Sequence, residues 1–170
     1  MLRALALVLL VAHTGCSTSQ PASPLRAESL TSAETKQVDT LLEKLYRSFS
    51  YGDGEEPDWD LMRSVFVDDA QFVTEPPVGE APNPQSADAF ISSWQASIRE
   101  SESPTVATEE WVTDTRVVKV GRLIRADVVF QVKKRNESAP RRPGLDSLVL
   151  VDAGGDWKIL SFVVHYESKL

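Results

Sequence analysis

One cysteine, Cys16, and two histidines, His13 and His165, are all that the 170-residue chain holds of the side chains that build disulfides, thiol nucleophiles and zinc clusters. A single thiol cannot close a disulfide within the chain. A transition-metal site would have to combine an imidazole with carboxylates alone, so no metal and no cofactor is assigned. Positive charge is also short: 18 Lys and Arg stand against 25 Asp and Glu, for a formal net charge of −7. A surface of that sign repels nucleic acid and anionic headgroups, which excludes nucleic acid as a partner. Long apolar runs are missing too. The longest near the N-terminus, residues 4–12, is about half of the ~20 residues that a membrane-spanning helix needs.

That short run nevertheless has a recognisable setting. Met1-Leu2-Arg3 precedes it and His13-Thr14-Gly15-Cys16 follows, the order of a basic start, an apolar stretch and a small residue at a cleavage site. Cys16 after Gly15 resembles the bacterial lipobox, in which cleavage before the cysteine leaves it to take up acyl chains; His13 stands where that motif prefers an aliphatic residue. The resemblance implies a signal peptide over residues 1–15 and a lipid anchor on Cys16. It also implies a place in the bacterial cell envelope, with the domain facing the periplasm or the exterior. Arg3 is the only charged residue removed with the signal, so the mature chain carries −8, and membrane contact is expected through the acyl chains. Residues 16–30, rich in Ser, Pro, Ala and Thr, read as a flexible tether.

Residues 31–170 are long enough for one domain with one core. Thr31-Ser32-Ala33-Glu34 is a capping box. Behind it Val38, Leu41, Leu42, Leu45, Tyr46 and Phe49 recur at the spacing of one helix face. Gly52-Asp53-Gly54 ends that helix. Asp58 caps a second, shorter one carrying Trp59, Met62 and Phe66, and residues 70–74 read as a short strand. A proline-rich loop through Pro76, Pro77 and Pro84 follows. Ser86 then caps a third helix with Phe90, Ile91, Trp94 and Ile98. Beyond it, residues 108–120, 123–134, 145–152 and 157–166 are β-rich runs, with Gly121-Arg122 and Gly154-Gly155-Asp156 at hairpin turns. Helices followed by an antiparallel meander give an α+β class.

The last two strands are apolar on both faces, with Leu148 and Leu150 on one side and Val149 and Val151 on the other. A second apolar face needs a cover, from a second subunit in a homodimer or from a crossing strand or loop. Asp68-Asp69 has no further oxygen ligands at calcium-loop spacing and reads as a turn. Lys133-Lys134-Arg135 with Arg141-Arg142 reads as a solvated hairpin end.

Three segments carry a resemblance to the nuclear transport factor 2-like superfamily, which includes the SnoaL-like and ketosteroid isomerase-like domains. Tyr46-Arg47-Ser48-Phe49-Ser50-Tyr51-Gly52-Asp53 resembles its first helix and Gly-Asp turn. Val65-Phe66-Val67-Asp68-Asp69-Ala70-Gln71-Phe72 resembles its Phe-x-x-Asp-Ala-x-Phe segment. Gly154-Gly155-Asp156-Trp157-Lys158-Ile159 resembles the hairpin into its last strand. The resemblance implies a cone-shaped α+β barrel, with three N-terminal helices packed on a strongly curved antiparallel sheet around an apolar pocket. Fold alone does not give the function, because members include isomerases, dehydratases, cyclases, transport factors and domains without known activity.

Two further segments are similar to ketosteroid isomerase. Val73-Thr74-Glu75-Pro76-Pro77-Val78-Gly79 matches the stretch holding its carboxylate base, here Glu rather than Asp and with an extra proline. Leu145-Asp146-Ser147-Leu148 matches the stretch holding its hydrogen-bond-donating Asp. The helix tyrosine of that enzyme falls one residue from Tyr46, nearer Leu45. The similarity implies Glu75 as base and Asp146 as donor in an isomerase or lyase. His165 is a third candidate, an acid or base unless it is only a strand-end histidine. The expectation that weighs most is binding of a small apolar ligand or a protein partner without catalysis. The pocket would be lined from Trp59, Trp94, Val128, Phe130 and Leu148, with Glu75, Asp146 and His165 as polar anchors. The tryptophans serve equally as core packing.

Overall fold

The computed structural model describes residues 27–74, 76, 79–101, 105–141 and 143–166. Helix α1 (Ser32–Phe49) starts at the capping box: the Thr31 hydroxyl accepts from the Glu34 N–H while the Glu34 carboxylate accepts from the Thr31 N–H. Lys119 reaches Glu34 Oε1 at 2.6 Å, tying the helix start to the sheet. Val38, Leu41, Leu42, Leu45, Tyr46 and Phe49 are all buried, as their spacing requires. Helix α2 (Trp59–Ser64) is capped by Asp58, and α3 (Ala87–Glu100) by Ser86.

Strand β1 (Phe66–Thr74) lies between α2 and α3 and begins at Phe66, which the sequence pattern had placed on the second helix. Tertiary pairing overrides local periodicity at this junction: the Ile159 N–H donates to the Val65 carbonyl, and Phe66 pairs with Ile159. The two-residue β2 (Gln85–Ser86) leads into α3. The meander is β3 (Thr108–Val120), β4 (Leu123–Lys134), β5 (Gly144–Asp152) and β6 (Trp157–Tyr166).

All six strands form one curved, unclosed sheet in the order β2-β1-β6-β5-β4-β3, the open cone of an α+β barrel with the helices on its inner face. Its pairs are antiparallel except β1 with β6, which run parallel. Asp68 and Asp69 are exposed within β1, where its register against β6 shifts. A bulge at Leu160 interrupts β6: Leu150 pairs with Ile159 but Val149 with Ser161. The inward face therefore changes parity, from Trp157 and Ile159 to Phe162 and Val164, and His165 lies on the opposite face from all four. On the outer face Val149, Val151 and Val163 are half-buried, and a polar chain from Arg125 through Asp127 to Ser147 crosses between them.

Candidate functional site

Helix α3 presents Phe90, Ser93, Trp94 and Ser97 on one face, three and four residues apart, and this face lines a cavity beside β1. Phe49 of α1, Phe72 of β1, Glu110 of β3, Phe130 of β4, Asp146 of β5, and Phe162 and Val164 of β6 complete this cavity of about 410 Å³. That volume suits a small organic molecule. Its walls are interlocked rings. Phe72 and Phe90 stack with centroids 3.6 Å apart, Phe72 lies 4.8 Å from Phe162, and Phe49 lies 5.8 Å from Trp94.

The polar end of this aromatic box is acidic. Asp146 is 2% exposed; its Oδ2 accepts a 2.6 Å hydrogen bond from the Tyr46 hydroxyl, while its Oδ1 is buried without a partner among the described residues. Burial pushes the Asp146 carboxyl up to about 7, against the opposing effect of the Tyr46 hydrogen bond, which favours the ionised form. Glu110 is half-buried; its backbone N–H donates to the Ser50 hydroxyl, which fixes the start of β3 against the end of α1. Burial, and secondarily the negative charge of Asp146, push the Glu110 carboxyl up to about 8. Two acids thus face one cavity, and at neutral pH each is poised to hold a proton.

Of the residues singled out from sequence, Trp94, Phe130 and Asp146 line this cavity together. Trp59 stands behind the wall, edge-on to Trp94 at 5.2 Å, with its indole N–H donating to Glu56. Val128 and Leu148 are fully buried in the core on the strands that carry Phe130 and Asp146, away from the cavity lining. His165 is half-buried on the outer face, in register with Leu145. Glu75 and Cys16 lie outside the described residues. Sequence reasoning did not find Glu110. In Glu109-Glu110-Trp111 nothing local says which glutamate faces inward; pairing with β4 and the bulge after Val112 decide it. Among the described residues, no group of three or more His, Cys, Asp or Glu side chains is placed to hold a metal ion. No helix among them is long and apolar enough to cross a membrane.

With a curved sheet, three helices among the described residues and a cavity in place, the SnoaL-like domain family matches residues 38–165. The chain belongs to that family. Among curated proteins none matches the sequence. Solved structures similar to this SnoaL-like domain include a nuclear transport factor 2-like protein of unknown function from Pseudomonas putida. It has a TM-score of 0.65 at 11% identity, covering 84% of this chain and 92% of that one. A protein of unknown function with a cystatin-like fold from Nostoc punctiforme has a TM-score of 0.63 at 10% identity, covering 84% and 98%. A nuclear transport factor 2-like protein of unknown function from Shewanella baltica has a TM-score of 0.56 at 15% identity, covering 84% and 100%. At these identities the likeness is one of fold.

Proposed function

We propose that this SnoaL-like domain binds a small, largely apolar molecule in the aromatic cavity and recognises one polar group on it through Asp146, without catalysis. The observation that supports it is Asp146 Oδ1, buried in the cavity wall with no partner among the described residues. A lone buried acceptor costs about 1–3 kcal/mol, which a ligand donor recovers on binding. Native mass spectrometry of the full chain purified from its own organism tests the reading. A retained small molecule, lost in Trp94→Ala, is the expected result. A chain that is empty and takes up no aromatic probe overturns it.

The second reading is an isomerase or lyase with Glu75 as base and Asp146 as donor, favoured by an Asp146 carboxyl raised to about 7, where it still carries a proton. Exchange of the α-protons of a cyclic ketone with heavy water, abolished in Glu75→Gln, would establish it over simple binding.

The proposal extends to the address: a lipid anchor on Cys16 holds the domain at the bacterial envelope. Incorporation of labelled palmitate, lost in Cys16→Ser, is the expected outcome, and an unlabelled chain overturns it.

A further inference from the structure

Among the described residues no ion pair is formed by either acid of the cavity. Among the described lining residues there is no Lys, Arg or His. The Tyr46 hydroxyl from α1 donates to Asp146. The lining from α3 is Phe90, Ser93, Trp94 and Ser97, with the Ser93 hydroxyl donating to the Phe90 carbonyl, and the lining from β1, β4 and β6 is apolar. The carboxylates with a described ion pair, such as Glu34 with Lys119 or Glu56 with Arg99, sit outside this cavity. Around the two acids stand the rings of Phe49, Phe72, Phe90, Trp94, Phe130 and Phe162.

We propose that the cavity takes a small lipophilic amine bound as its cation, the ammonium placed against Glu110 and Asp146 and the apolar body against the rings. This rests on the reading that the cavity binds a small molecule, and it names the class. Three features converge on a cation. The unpaired Asp146 Oδ1 is an acceptor needing a donor, and an ammonium offers three. Ring faces attract a cation most strongly when it is desolvated, and six rings line this cavity. As the acids ionise, an ammonium offsets the charge that builds up between them, whereas a neutral ligand leaves it and an anion adds to it. Because Glu110 and Asp146 both hold protons more firmly than ordinary carboxyls, the cation displaces protons that the acids carry, and these leave to solvent.

Titration calorimetry of the full chain with phenethylamine, phenethyl alcohol and 3-phenylpropionate separates the possibilities, run in buffers of different ionisation enthalpy. The expected result is an amine bound roughly tenfold or more tighter than the alcohol, with proton release. Amine affinity should rise between about pH 6 and about pH 9 as the acids ionise and the amine stays charged. In Glu110→Gln, checked for native fold by circular dichroism, the amine-to-alcohol ratio should fall several-fold. Alcohol binding as tight as the amine, or tightest binding of the carboxylate, overturns the amine assignment and leaves the cavity reading standing. Failure of all three to bind overturns both.

Discussion

The Tyr46 hydroxyl donates a 2.6 Å hydrogen bond to Asp146 Oδ2, joining α1 to β5 across 100 positions of sequence. The same phenol ring packs on Phe130, with centroids 5.9 Å apart, so one side chain supports both the acid and the aromatic wall. Tyr46→Phe keeps the ring and removes the donor, leaving both oxygens of a buried carboxyl without that partner. Urea unfolding near neutral pH should show a loss of about 1–3 kcal/mol. The hydrogen bond favours the ionised acid, so its removal should also move the Asp146 carboxyl further above about 7, which carbon NMR of the labelled carboxyl reads directly.

Glu110 makes a second outcome testable through stability against pH. Its carboxyl lies at about 8 in the fold against an ordinary 4.5, and that of Asp146 at about 7 against 3.8. Between these limits the folded state binds more protons than the unfolded one, so stability falls as pH rises. The contribution is complete below about pH 4 and lost on passing about pH 8. At the acid end the lowered carboxyl of Glu34, at about 2, works in the opposite sense, its stabilising effect present above 4.5 and lost as pH falls. From these groups, thermal unfolding should therefore peak at about pH 4–5 and fall toward about pH 8. Glu110→Gln should flatten the fall toward about pH 8, raising the midpoint there by roughly 2–4 °C, the equivalent of about 1 kcal/mol. An unchanged slope would contradict the placement of Glu110.

Gly144 faces Phe130 across the β4–β5 pair, and a Cβ at this position would collide with the far edge of that ring. Its φ is not in the left-handed region, so the constraint is space and not backbone conformation. Gly144→Ala should push Phe130 toward the cavity and destabilise the fold by about 1–3 kcal/mol. Apolar probe binding, measured by Trp fluorescence, should weaken as well. The double variant with Phe130→Leu should recover stability if the ring is what the methyl group meets.

Much of the architecture was legible in local pattern. The capping box at Thr31 and Glu34, the apolar face through Val38, Leu41, Leu42 and Leu45, and the glycines turning at 121 and 154–155 each act within a few residues. Such short-range rules read the same in sequence and in the fold. Patterning also placed Trp94 and Phe130 on the apolar faces of their elements, and Asp146 was singled out through the resemblance to ketosteroid isomerase. Patterning could not say that Val128 and Leu148, on the same faces, lie in the packed core while their neighbours reach the cavity; depth along a curved sheet has no signature in a two-residue period.

What the sequence by itself determined is therefore the set of elements, their order and their apolar faces, because propensity, capping and periodicity are local. What only the tertiary structure decided is long-range. The parallel pairing of β1 with β6, the parity change at Leu160 that turns His165 outward, and the turning of Glu110 toward Asp146 all depend on register between segments far apart in the chain. The acidity of the site belongs there as well. Burial and the nearness of another charge set a carboxyl's proton affinity, and neither is a property of an aspartate or a glutamate until the fold encloses it.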